Sequence, residues 1–145
     1  MFQRIGNAEF VIFHEPHLVE TKDLHPLQGA DAHADVGDPF DIVILGMGTD
    51  GHTASFFPGG DNLEEALDLD EPRTVLTMAA ENAGEERLTF NLAALHDARF
   101  LVLHIEGAAK KETLEKAQSD LDEDEMPIRS VLNRADSTVN IYWAP

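Results

Sequence analysis

An aspartate and a histidine two residues apart, Asp50 and His52, sit in and just after the glycine-rich run G-M-G-T-D-G, Gly46 to Gly51. A carboxylate beside an imidazole fixes the ring's tautomer and raises its basicity, as a general base near neutral pH requires. In a bent loop both side chains can face one cleft, and Gly46, Gly48 and Gly51 permit tight turns and close approach of a ligand. Spacing alone leaves a second reading open, a turn aspartate followed by a polar residue at a helix start. The run also fits G-x-G-x-x-G, the dinucleotide-binding pattern. That fold needs a long helix facing the pyrophosphate. Here Pro58 and Gly59 follow closely, and H-T-A-S-F-F gives about one and a half helical turns at most. The acid required ~20 residues further on falls in E-E-A-L-D-L-D-E-P, which reads as a helix end and a loop. The dinucleotide reading is set aside.

The elements that must position this loop alternate. D-I-V-I-L is a short β-branched run, expected as a strand buried on both faces. D-N-L-E-E-A-L-D opens with Asp61 and Glu64, a capping-box-like helix start. R-T-V-L-T-M-A reads as a strand. E-R-L-T-F-N-L-A-A-L-H-D-A places Leu88, Leu92 and Leu95 on one helical face. R-F-L-V-L-H-I-E reads as a strand, G-A-A-K-K-E-T-L-E-K-A-Q-S-D-L as an exposed helix, M-P-I-R-S-V-L-N-R-A as a Pro-initiated helix, and S-T-V-N-I-Y-W as a closing strand. This order predicts an α/β fold, a mainly parallel sheet with helices on both faces. Before Phe40, A-E-F-V-I-F-H-E-P reads as a strand or extended loop, and the polar stretch after it as one weak helix with connections. No repeat or linker divides residues 1–145, so a single domain is expected. Loop histidines explain H-E-P-H (His14 to His17) and D-A-H-A-D (Asp31 to Asp35), and no metal site is expected: Pro16 disrupts helical presentation and H-E-x-x-H spacing is absent.

The 145 residues carry 28 acids against 10 Lys and Arg, a net charge of -18. Such a field repels nucleic acid and anionic membranes, so neither is expected as a partner. The acids are scattered, which suits a solvated surface. An anionic substrate would have to be met by local basic residues. With 0 cysteines there is no disulfide framework or thiolate metal site, which fits a reducing cytoplasm. The N-terminus lacks the pattern of a signal peptide, and no apolar run approaches the ~20 residues that span a bilayer.

F-D-I-V-I-L-G-M-G-T-D-G-H-T-A-S-F-F-P-G resembles the signature of the 6-phosphogluconolactonases: a strand, then Leu-Gly-x-Gly-x-Asp-Gly-His-x-Ala-Ser-x-Phe-Pro-Gly. E-R-L-T-F-N-L-A-A-L-H-D-A-R-F-L-V-L-H-I-E-G-A-A-K-K-E-T-L and M-P-I-R-S-V-L resemble later segments, so the likeness covers most of Phe40 to the C-terminus. The sister glucosamine-6-phosphate deaminases continue with Ile-Ala-Phe-Asn-Glu-Pro after the His, and T-A-S-F-F-P-G sides with the lactonases. The resemblance implies a Rossmann-like fold of the sugar-phosphate isomerase and deaminase type, without a nucleotide, and hydrolysis of 6-phosphogluconolactone in the pentose phosphate pathway, with no metal or organic cofactor. His52 would activate water and Asp50 would orient it. Gly46, Gly48 and Gly51 would shape the substrate loop, whose N–H groups would stabilise the oxyanion. Arg87 and Lys110 match basic positions for the phosphate or the developing charge; Arg129 is a further candidate, although helix-start arginines are common on surfaces. Ser55 lacks a G-x-S-x-G elbow and is read as capping or packing.

The family's Ser-Gly-Gly-Ser-type phosphate loop, Asp-x-Arg segment and Ser-Asn segment are not found here, so the chain resembles the C-terminal portion of a lactonase. Sheet faces and an edge are then expected to lie uncovered; a truncated gene, a complementing chain that supplies the rest and a homodimer that covers the face are the three explanations left open. Two other functions stay open: a non-catalytic sugar-phosphate-binding module, and a glucosamine-6-phosphate deaminase-like enzyme.

Overall fold

A computed structural model describes residues 38–120 and 122–145. The readings made for the segment before residue 38, including both histidine clusters, lie outside the described residues.

Three strands form a parallel sheet in the order β1 (Ile42–Leu45), β4 (Phe100–Glu106), β5 (Val139–Ala144). Ile42 is in register with Phe100 and Leu101 with Val139. The central strand β4 buries Leu101, Val102, Leu103 and Ile105, as a strand flanked on both edges should. A separate antiparallel ribbon joins β2 (Val75–Met78) to β3 (Arg87–Phe90), with Val75 opposite Phe90. The helices are α1 (Leu63–Leu67), α2 (Leu92–Leu95), α3 (Gly107–Ala117) and α4 (Ile128–Arg134). Among the described residues, no helix is long and apolar enough to cross a membrane.

Three expectations are corrected. Arg87 to Phe90 form β3 instead of opening a helix. The 3.6-residue spacing of Leu88, Leu92 and Leu95 is real, but Asn91 interrupts it. Its fully buried side chain accepts from Ala94 N at 3.2 Å, capping α2, and from Thr74 N at 3.1 Å, and donates to Pro72 O at 2.9 Å. Leu92 and Leu95 therefore enter the core while Leu88 stays 40% exposed. The α1 N-cap is Asn62, not Asp61. The Asp61 carboxylate instead accepts from Ala79 N at 2.7 Å, tying the loop before α1 to the end of β2. Finally, β1 is buried on one face only: Val43 and Leu45 are covered, while Ile42 and Ile44 are 58% and 60% exposed. They line an open apolar hollow with Phe40, Leu88 and Phe90. Among the described residues nothing buries these two side chains.

The segment joining α3 to α4 is organised by Arg129, which is 1% exposed. Its Nε donates to Ala117 O at 3.2 Å. Its Nη1 donates to Asp122 O at 2.7 Å and to the Glu125 carboxylate at 2.9 Å. One buried side chain thus closes the C-terminal end of α3 onto the first turn of α4. Arg129→Met keeps the bulk and removes every donor; the lost bond to the carbonyl of buried Ala117 alone costs roughly 1–3 kcal/mol. The urea midpoint should fall accordingly; an unchanged midpoint would mean that these bonds do not hold the segment.

Candidate active site

The loop from Gly46 to His52 leaves the carboxyl end of β1, beside the carboxyl end of β4. This is where parallel sheets present their ligand sites. The loop closes on itself: Gly48 N donates to His52 O at 2.8 Å and Gly51 N to Gly48 O at 3.1 Å. The turn places the Asp50 carboxylate 2.6 Å from His52 Nδ1 and 3.1 Å from His52 N. Both side chains are about one-third exposed, at 33% and 32%, so the pair opens to solvent at the sheet's end.

Two of the glycines are required by this geometry. A Cβ on Gly48 would lie 2.2 Å from His52 Nδ1 and 2.3 Å from the Asp50 carboxylate. Gly51 has φ +82°, and a Cβ there would strike Met126 at 2.8 Å. Gly46 differs, since no atom lies within 4 Å of its added Cβ. Its carbonyl accepts from the Thr53 hydroxyl at 2.7 Å.

Burial pushes the Asp50 pKa up. The His52 backbone N–H, the hydrogen bond from the ring and the ring's attraction outweigh it, and the net value lies below the ordinary 3.8. Asp50 is therefore ionised at neutral pH and can only accept. In the neutral imidazole the proton then sits on Nδ1 and the Nε2 lone pair is left available. This is the tautomer general-base chemistry needs.

Two helices hold the loop from behind. The Lys110 ammonium on α3 donates to Met47 O, and Ile128 N at the start of α4 donates to Gly51 O at 2.9 Å. Lys110 thus stands at the back of the loop. The other basic candidates are placed differently. The Arg87 guanidinium donates to Ala83 O at 3.1 Å and lies 3.8 Å from Glu85, within its own turn. Arg129 is an interior bridge, not the surface cation expected of a helix-start arginine, because each guanidinium nitrogen is engaged by α3 or its following loop. The loop N–H groups expected to meet an oxyanion are also partly engaged: those of Gly48, Gly51 and His52 already donate within the loop. At Ser55 the backbone N–H donates to the Thr89 hydroxyl at 3.3 Å. The glycine loop does not run into a helix; Thr53 and Phe56 pair as an isolated antiparallel bridge, so the helix N-terminus a pyrophosphate would need is absent here. Sequence reasoning missed Phe57, whose ring stacks on His52 at 4.4 Å between centroids. The motif F-P-G-G, a turn signal, was the available clue.

Fold and loop together define an α/β protein with an Asp–His pair on a glycine turn at the carboxyl end of a parallel sheet. Residues 17–143 match the family described as glucosamine-6-phosphate isomerases/6-phosphogluconolactonase, and the chain belongs to that family. A 6-phosphogluconolactonase of Rhizobium meliloti is 56% identical over 140 residues, 97% of this chain and 60% of the relative. One of Mesorhizobium japonicum is 49% identical over 107 residues, 74% of this chain and 44% of the relative. The crystal structure of a 6-phosphogluconolactonase from Shewanella baltica superposes with a TM-score of 0.71 at 34% identity, covering 77% of this chain and 47% of that one. The chain thus spans 60% or less of the length of these relatives.

Two outcomes follow from the geometry. Gly48→Ala should force Asp50 and His52 apart while the sheet stays folded. Two-bond proton–nitrogen NMR correlations of His52 should change from one tautomer to a mixture. A carboxylate whose folded pKa is depressed stabilises the fold above its unfolded value, near 3.8, and that stabilisation is lost as pH falls through the folded value. Carbon-detected titration of Asp50 should give a midpoint below 3.8, and Asp50→Asn should flatten the stability–pH curve in that acid range.

Proposed function

We propose that this chain carries the catalytic base of a 6-phosphogluconolactonase and hydrolyses 6-phosphogluconolactone to 6-phosphogluconate in the cytoplasm. The observation that carries the reading is the His52 Nδ1–Asp50 contact of 2.6 Å on a loop that matches the lactonase signature. Homology to lactonases over most of this chain supports it.

His52 Nε2 takes a proton from a water molecule whose oxygen adds to the lactone carbonyl carbon. Asp50 holds the imidazolium that forms. When the tetrahedral intermediate collapses, the bond from the carbonyl carbon to the ring oxygen breaks. His52 returns its proton to that oxygen, giving a hydroxyl and a carboxylic acid that ionises in water. Proton transfer and carbonyl addition are all this asks of the protein. Lys110, whose ammonium donates to Met47 O behind the loop, is one candidate cation for the developing charge, and Arg87 is a second for the phosphate. Arg129 acts only through the fold.

The test is acid release from 6-phosphogluconolactone in a pH-stat. Loss of a general base costs about 10²–10⁴-fold, so His52→Ala should fall to near the spontaneous rate and Asp50→Asn should lose less. A variant lacking His52 that keeps the full rate would overturn the reading. The short span relative to the homologues keeps a second reading in view: binding without turnover, seen as heat on titration with 6-phosphogluconate while the wild-type rate equals the spontaneous one.

A further inference from the structure

We infer that Phe57 is a positioning residue that fixes the plane of the His52 ring. The inference rests on the reading of His52 as the base. The Phe57 and His52 rings lie 4.4 Å apart between centroids with an interplanar angle of 29°, a stacked arrangement. Phe57 is 6% exposed, so it is a wall of the site and not a mobile cover. The Asp50 hydrogen bond sets the direction of Nδ1, but a single bond leaves the imidazole free to swing about the Nδ1···Oδ1 line. A flat apolar surface against one ring face removes that freedom. The two contacts together aim Nε2, and either alone does not.

The seat of Phe57 is built separately from the glycine loop. Phe57-Pro58-Gly59-Gly60 is a turn closed by Gly60 N to Phe57 O at 2.9 Å. Gly59 sits at φ +70°, and a Cβ on Gly60 would fall 2.4 Å from the Met78 sulfur. The next residue, Asp61, donates its N–H to Ala79 O at 3.0 Å and accepts from Ala79 N at 2.7 Å. The turn is thus pinned to the end of β2. The carboxylate comes from the loop after β1; the ring wall is braced by the β2–β3 ribbon. The ribbon thereby gains a part in the chemistry, through the turn that it holds in place.

The experiment is proton NMR of the His52 ring in the full chain, which reads the geometry whether or not the chain turns over substrate. Stacking shifts the ring protons upfield. Phe57→Leu should return them toward their free-imidazole positions, and Phe57→Tyr should keep them. Under lactonase assay, kcat should fall roughly tenfold in Phe57→Leu with KM within about twofold, since a small misplacement of a catalytic group acts on the rate. Phe57→Tyr should restore kcat. Unstacked shifts in the wild-type protein overturn the proposal without any variant, and so does a Phe57→Leu protein whose His52 resonances do not move. Failure of the general-base reading would look different: His52→Ala would keep the full rate while the wild-type ring protons still showed the stack.

Discussion

A loop that doubles back within seven residues turns its carbonyl groups outward, and each must find a donor. The site depends on that constraint. Gly46 O is met by the Thr53 hydroxyl, Met47 O by the Lys110 ammonium, and Gly51 O by Ile128 N. The donors come from the loop's own exit, from α3 and from α4. Without them the turn that brings Asp50 onto His52 would have polar groups facing the interior with nothing to bond. The Asp50–His52 geometry is thus a by-product of satisfying backbone acceptors from several elements at once.

The same logic explains why an arginine with no access to a substrate matters. Arg129 holds the end of α3 against the start of α4. One residue before it, Ile128 N reaches the glycine loop, and Met126 fills the space against Gly51. A long, always-charged side chain with a planar fork suits this work better than lysine, because it can address several carbonyls in fixed directions. Glu125, drawn below its ordinary pKa first by the Arg129 hydrogen bond and then by Lys116, stays ionised and completes the neutralisation.

The parts of this protein legible in the sequence are those set by local pattern. D-I-V-I-L and R-F-L-V-L-H-I-E are strands because their β-branched and leucine runs allow little else. The Asp50–His52 pair was legible because the glycines announce a turn. Leu88 was misread because helical spacing and a strand followed by a capped helix leave similar marks over so few residues. Only the buried position of Asn91, a tertiary fact, separates them. Asp61 was misread because an acid before a helix caps it by default, and its true partner, Ala79, is 18 residues away. Arg129 looked like a surface charge because burial depends on what surrounds it. The stack of Phe57 on His52 was out of reach for the same reason: five residues apart, they meet because the chain between them folds back in the Thr53–Phe56 bridge.

The register of the sheet bears on how the molecule comes together in time. β4 pairs with Ile42 to Leu45 on one side and with Val139 to Ala144 on the other, so both partners of the central strand are distant in sequence. Parallel pairings of this kind form only after long loops have closed, and they are slow for that reason. The glycine turn can form by itself, but Lys110 and Ile128 cannot reach it until β4, α3 and α4 are in place. During refolding the histidine is present from the first moment and correctly held only near the last. The Asp50–His52 contact is therefore among the later features to settle, after the helices that brace its loop.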